Sequence, residues 1–232
     1  MLERIDFNDN ETLARALALS VSSALQKGVK NNGMASLAVS GGSTPKLFLA
    51  ELAKISALDW SKIIVTLVDE RWVDISSPRS NAALVSNNLL QGNASQAAFI
   101  PLYLKGQSLG NKQVETINYL LNEHLPMPVD VAVLGMGNDG HTASFFPGAK
   151  NLQSALSNPG PAIAISAPQT QEQRVTLTLP FILQAKHLYL HIEGEEKQQA
   201  LQLALNGNDV AKMPVRAVLE QKQTDLKIYW CP

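Results

Sequence analysis

Val129-Asp130-Val131-Ala132-Val133-Leu134-Gly135-Met136-Gly137-Asn138-Asp139-Gly140-His141-Thr142-Ala143-Ser144-Phe145-Phe146-Pro147-Gly148 runs from a short apolar segment into a glycine-rich turn that carries one histidine. The segment from Val129 to Leu134 reads as a buried strand of a parallel sheet. In open α/β sheets ligands bind beyond the carboxyl ends of the strands, so His141 falls where chemistry takes place. Imidazole titrates near neutral pH, and the glycines let backbone approach a ligand closely.

Gly135-x-Gly137-x-x-Gly140 also matches the dinucleotide fingerprint, and the match is rejected. That motif needs a helix directly behind the third glycine and an acidic residue about twenty positions on. After Asp139 no Asp or Glu occurs until Glu172. Pro147-Gly148 cuts short any helix begun at His141.

Working outward, apolar β-rich runs alternate with helical patterns, which implies α/β architecture: a mainly parallel sheet flanked by helices. Strands are expected at Ala35–Ser40, Ile63–Val68, Phe99–Leu104, Val129–Leu134, Ala162–Ser166, Arg174–Leu179, His187–Ile192 and Leu226–Trp230. Helices are expected at Asn10–Gln26, with Gly28 as its stop, and at Pro45–Lys54, Asn81–Gln91, Lys112–Leu125 and Glu195–Leu205. There is no internal repeat or low-complexity linker, and 232 residues suit one domain over 1–232.

The balance of 19 basic against 20 acidic residues, without a basic block, argues against nucleic acid as a partner. The only cysteine, Cys231, permits neither a disulfide framework nor a cysteine-based zinc site. Asp6, Asp9, Glu11 and Arg15 interrupt the start of the chain, so no signal or membrane-spanning segment is expected there. These features together fit a cytoplasmic chain.

Four polar motifs lie at or just after strand ends and are candidates for one shared crevice. In Ser40-Gly41-Gly42-Ser43-Thr44-Pro45-Lys46, Thr44 suits an N-cap and Pro45 a first helical turn. Exposed amides of Gly41 and Gly42 with the Ser43 and Thr44 hydroxyls make a phosphate seat, or else simply a well-capped turn. No Walker A ending is present, so a nucleotide is not implied. In Val68-Asp69-Glu70-Arg71-Trp72 an apolar run ends in three charges. Arg71 can clamp a phosphate or carboxylate, with Asp69 or Glu70 holding it or bonding sugar hydroxyls; a surface ion-pair cluster is the plain alternative.

The third motif is the opening stretch, where Asp139 is near enough to bond either the His141 ring or a ligand hydroxyl. The fourth combines Arg174-Val175-Thr176-Leu177-Thr178-Leu179-Pro180 with Gly194-Glu195-Glu196-Lys197. Alternation puts Arg174, Thr176 and Thr178 on one face, and Arg174 and Lys197 are additional anion contacts. His124, at a helix end, and His187 and His191, on one face of a strand, read as structural.

Taken together, Ser40 to Pro45, Val68 to Arg71, Gly135 to Gly148, Arg174 to Pro180 and Gly194-x-x-Lys197 resemble the 6-phosphogluconolactonases over most of the chain. The resemblance implies a Rossmann-like domain that hydrolyses 6-phosphogluconolactone in the pentose phosphate pathway, with no metal or other cofactor required. The expected partner is a small phosphorylated sugar lactone, and the oligomeric state stays open between monomer and weak dimer. The family usually has asparagine where this chain has Gln184. A lactone needs mainly an activated water and charge stabilisation. His141 is expected to supply the base, and Asp139 to orient the ring or the substrate. Arg71 or glycine-turn amides would stabilise the oxyanion, while Ser43, Thr44, Arg174 and Lys197 hold the phosphate. Glucosamine-6-phosphate isomerases are similar at the same loops, but they carry a glutamate five residues beyond the histidine, where this chain has Phe146. A sugar-phosphate sensor is the non-catalytic alternative, although no helix-turn-helix segment accompanies the domain.

Overall fold

The computed structural model describes residues 1–232. In chain order the elements begin β1 (Leu2–Asp6), α1 (Asn10–Asn32), β2 (Ala35–Val39), α2 (Lys46–Ala53), β3 (Ile63–Leu67), β4 (Asp69–Arg71) and α3 (Asn81–Asn88). They continue β5 (Ala98–Ile100), α4 (Asn111–His124), β6 (Val131–Leu134), α5 (Leu152–Ser157), β7 (Ala162–Ser166) and β8 (Gln173–Leu177). The chain closes with α6 (Leu179–Ile182), β9 (His187–Glu193), α7 (Glu195–Leu205), α8 (Arg216–Leu219) and β10 (Leu226–Cys231).

Seven strands form one sheet in the order β1-β10-β9-β6-β2-β3-β5, and every pairing in it is parallel. β2, β3 and β6 are buried along their whole lengths, which explains their near-continuous apolar sequences. From β2 the chain moves outward to β3 and β5, then returns to place β6 on the other side of β2. That reversal is a topological switch point, where neighbouring loops leave in opposite directions and open a crevice. One contiguous hydrophobic core draws on helices and strands from both ends of the chain. No helix is long and apolar enough to cross a membrane.

Several expectations need correction. The runs at Ala162–Ser166 and Arg174–Leu179 do not join the parallel sheet; with β4 they form a separate antiparallel sheet in the order β4-β8-β7. The connection between β7 and β8 is too short for a crossover, so they pair as a hairpin. Thr178 leaves the strand and caps α6, its hydroxyl accepting from the Phe181 amide. The strand expected through Leu104 stops at Ile100, because Pro101 has no N–H for the ladder. β1 was not anticipated, since charges occupy three of its five positions. Rejection of the dinucleotide fingerprint holds: turns, with no helix, follow Gly140.

Gly28 does not stop α1. The helix continues to Asn32, and Gly33 terminates it at φ 80°. Gly28 instead lets α1 lie against the sheet: a Cβ there would come 2.8 Å from Ala35 Cβ and 2.8 Å from Asp130 Oδ1. Asp130 cannot give way easily, because its carboxylate accepts from the Ser36 amide at 2.9 Å and Lys186 Nζ at 2.7 Å. Gly28→Ala, which ordinarily strengthens a helix, is therefore expected to destabilise the protein by about 1–3 kcal/mol. Urea unfolding measures it, and a stabilised variant would refute the close-packing argument.

Candidate active site

The crevice opens where β2 and β6 end. Ser40 bridges the two loops, its amide donating to Val133 O and its hydroxyl accepting from the Gly135 amide at 3.0 Å. A cavity of about 260 Å³ lies above them, lined by residues of all four sequence motifs. The amides of Gly41, Gly42, Ser43 and Thr44 donate to no acceptor in the protein. They form a preorganised row of donors at the mouth of α2, suited to an anion. Gly41 is required sterically, because a Cβ would fall 1.9 Å from Asn81 Oδ1.

His141 occupies one wall of the cavity. Its Nδ1 lies 2.6 Å from Asp139 Oδ1, and the same carboxylate oxygen accepts from the His141 amide at 3.1 Å. The ring is 32% exposed. With Nδ1–H given to Asp139, Nε2 carries the lone pair and has no partner in the protein. This bond, with burial opposing it, holds the Asp139 carboxyl below its ordinary range. Phe146 packs against the ring with centroids 4.8 Å apart.

The second wall is cationic. Antiparallel register sets Arg71 directly opposite Arg174. Two guanidiniums so placed repel, and carboxylates between them offset the repulsion. Arg174 donates to Asp69 Oδ2 at 3.2 Å and Glu172 Oε2 at 3.0 Å, and its guanidinium sits 5.1 Å over the Phe146 ring. Arg71 lies 3.5 Å from Glu172 and donates to Arg79 O at 2.7 Å and Asn81 Oδ1 at 3.1 Å. Desolvation first, and Arg174 second, draw Arg71 below its ordinary value. Asp69 also accepts from Ser144 Oγ at 2.6 Å.

At the remaining side Lys197, on the first turn of α7, donates to Thr44 Oγ1 at 2.8 Å. Burial lowers its ammonium from the ordinary lysine value, while Glu193 pulls the other way. The Lys197 bond is where Thr44 departs from expectation: the helix begins at Lys46, Pro45 holds the capping position, and no side chain caps it.

Residues 8–230 match the family model described as glucosamine-6-phosphate isomerases/6-phosphogluconolactonase. The chain belongs to this family. A 6-phosphogluconolactonase of Rhizobium meliloti is 45% identical over 228 residues, covering 97% of each chain. One from Mesorhizobium japonicum is 44% identical, covering 97% of this chain and 94% of the other. The crystal structure of a 6-phosphogluconolactonase from Shewanella baltica superposes with a TM-score of 0.96 at 39% identity, covering 100% of this chain and 98% of that one.

Within the isomerase/lactonase family fold, the structure brings together Gly41, Gly42, Ser43, Thr44, Asp69, Arg71, His141, Arg174 and Lys197 around the one cavity. Asp139 stands behind His141 and borders a neighbouring cavity shared with Arg71, His141 and Arg174. Glu70 is not available to a ligand. It is fully buried and accepts from the amides of Arg71, Asn81 and Ala82 and from Ser80 Oγ, which ties β4 to the start of α3. Burial raises its carboxyl even against those four donors. Gln184 is exposed and lies outside the cavity, bonding Pro180 O, so the departure from asparagine leaves the site intact.

Two residues that read in the sequence as structural, one at a helix start and one on a strand, line the cavity. Asn81 orients Arg71 and donates to Asp69 O at 2.9 Å, and its position at the start of a helix beside the charged strand end was the available signal. His191 lines the cavity, and the signal was its place near the carboxyl end of β9. The Asp139–His141 pair depends on Gly137, where a Cβ would meet His141 Cε1 at 2.2 Å. Gly137→Ala is expected to displace the ring, so that the low-field Nδ1–H resonance of His141 disappears from the proton NMR spectrum; its persistence would show that the loop accommodates the methyl.

Proposed function

We propose that the chain hydrolyses 6-phospho-D-glucono-1,5-lactone to 6-phospho-D-gluconate, with His141 as general base. The observation that carries this reading is the partnerless Nε2 of the Asp139-supported imidazole, facing the same cavity as Lys197, Thr44 and the free amides of Gly41 to Thr44. One end of the cavity supplies a proton acceptor and another supplies an anion seat, the two features a phosphorylated lactone needs.

In this scheme Nε2 takes a proton from a water as its oxygen attacks C1 of the lactone. Asp139 keeps the reactive tautomer and stabilises the imidazolium that forms. The tetrahedral intermediate then collapses, the bond from C1 to the ring oxygen breaks, and the imidazolium returns the proton to that oxygen. The glycine-turn amides are weaker candidates for the oxyanion than Arg71, because those of Gly135, Gly137 and Gly140 already donate to Ser40 Oγ, His141 O and Gly137 O. Holding the phosphate against Ser43, Thr44, Arg174 and Lys197 places C1 near the base and converts binding into orientation.

Ring-opening isomerisation of an amino sugar needs a second proton-transfer group. Phe146 stands in that position and is wedged between His141 and Arg174. Glucosamine 6-phosphate is therefore expected to yield no fructose 6-phosphate.

Acid release from fresh 6-phosphogluconolactone, measured above its spontaneous hydrolysis, tests the proposal. His141→Ala is expected to lose on the order of 10²- to 10⁴-fold in kcat. A wild-type rate in that variant sinks the general base. Arg174→Ala and Lys197→Ala are expected to raise KM for the phosphorylated lactone more than for the unphosphorylated one, and equal changes for both would mean the anchor is misassigned.

The lowered Lys197 value adds a pH dependence. The ammonium binds an anion only while protonated, so affinity for inorganic phosphate is present at neutral pH and lost as pH rises through a value below the 10.5 of ordinary lysine. Calorimetric titration across that range should show this decline in the wild type, with a flatter profile in Lys197→Met.

A further inference from the structure

Beside the first cavity lies a second, of about 360 Å³, and Arg71, His141, Phe146 and Arg174 line both. Apart from His141, its charged side chains are the guanidiniums of Arg71, Arg79 and Arg174 and the carboxylates of Asp139 and Glu172. Asp139 is committed to His141. Glu172 therefore stands alone against three cations, and both of its oxygens are engaged: Oε1 by Arg79, Oε2 by Arg174 at 3.0 Å and by Arg71 at 3.5 Å.

The residue is firmly placed. Glu172 immediately precedes β8, and its carbonyl accepts from the Ala167 amide at 3.0 Å, which closes the β7–β8 turn. Its side chain is 11% exposed, at the wall of the cavity. An ion-pair clip between the turn and β4 is the ordinary role of such a residue. The position of this one gives its charge a further consequence, because an anion site ordinarily gains from leaving its arginines unpaired, and here one acid engages all three. Arg71 keeps Nη2 without an acceptor in the protein, so the carboxylate tempers the cationic wall without closing it.

The proposed reaction changes the charge of the ligand at this wall. Water adds to C1 beside His141 and Arg71, and an uncharged lactone end becomes a carboxylate. Substrate and product carry the same phosphate, so they differ there by one negative charge.

We propose that Glu172 makes the site discriminate between lactone and acid, its carboxylate cancelling one cation beside C1 so that the product carboxylate is held weakly and leaves while the uncharged lactone end is accepted. The inference rests on the lactonase reading and adds to it the residue that sets product affinity.

Glu172→Gln keeps the shape of the side chain and an oxygen for the arginines, but removes the charge. The inhibition constant for 6-phosphogluconate is expected to fall about tenfold, while KM for the lactone changes by less than about threefold. Since both ligands bring the same phosphate, the ratio of the two constants reads the C1 end alone. Glu172→Asp, which retains the charge, should stay near the wild-type ratio. Arg79→Met removes a cation from the same wall and should move the ratio the other way. Added salt should narrow the gap between the wild type and Glu172→Gln, because partly exposed charges are screened.

A clip with no part in selectivity gives the opposite sign, since loosened arginines in Glu172→Gln would bind the product less well. That result, or an unchanged ratio, overturns the inference, and so does a Glu172→Asp enzyme that behaves as Glu172→Gln does. Failure of the lactonase reading looks different: the wild type itself would then not consume the lactone.

Discussion

Parallel strands buried on both faces leave room for charged groups only at their ends, and this constraint governs the sheet at the centre of the molecule. The interior of β2, β3 and β6 carries no charged residue, and its two polar side chains, Ser36 and Thr66, are buried and donate to the carbonyls of Pro126 and Ile100. Side chains that carry charge or accept protons are consequently displaced to the loops beyond the carboxyl edge, where water and ligand can reach them. Because β2 and β6 are neighbours in the sheet yet distant in sequence, their loops diverge, and the Ser40–Gly135 bond sets how far. The anion loop, the histidine turn and the end of β9 then surround one volume without any of them having to cross the core.

Charge is distributed around that volume so that cations are held but not quenched. Arg71 and Arg174 face one another across β4 and β8, with Asp69 and Glu172 interleaved. Glu172 also pairs with Arg79, which joins the β7–β8 turn to the segment before α3. Carboxylates behind the guanidiniums fix their planes, and a preorganised donor loses little on meeting an anion. Lys197 is poised differently. Its direct partner is the neutral hydroxyl of Thr44, so the ammonium is partly desolvated and not neutralised.

The sequence made the cluster of motifs legible, because each follows a recognisable strand end and the glycines mark where backbone must turn sharply. His141, Arg71, Arg174 and Lys197 were singled out in this way, and they line one cavity. The antiparallel sheet was not, since Ala162–Ser166 and Arg174–Leu179 have the same apolar alternation whichever sheet they join. Gly28 was misread because glycine stops helices in sequence statistics, whereas here it answers a close approach to Ala35 on the next strand and to Asp130, about a hundred residues along the chain. Thr44 carried a cap signature, yet its hydroxyl meets a lysine 153 residues away. Local propensity cannot register partners at such separations, and these are the positions where tertiary contact overrides it.

The two cavity histidines show how one residue type is held in two settings by its carboxylate. His141 is partly exposed and gives Nδ1–H to Asp139, which leaves Nε2 without a partner in the protein. His191 is buried and engages Glu193 through Nε2, which leaves Nδ1 facing away from its acid. Exposure separates them as well: the first stands on a turn that solvent can visit, the second within a strand from which water is excluded. Phe146 packs its ring against His141 and offers the same ring to Arg174. A carboxylate in its place would add a third acid to a guanidinium that already holds Asp69 and Glu172, whereas the apolar ring meets the cation through its face and adds no charge.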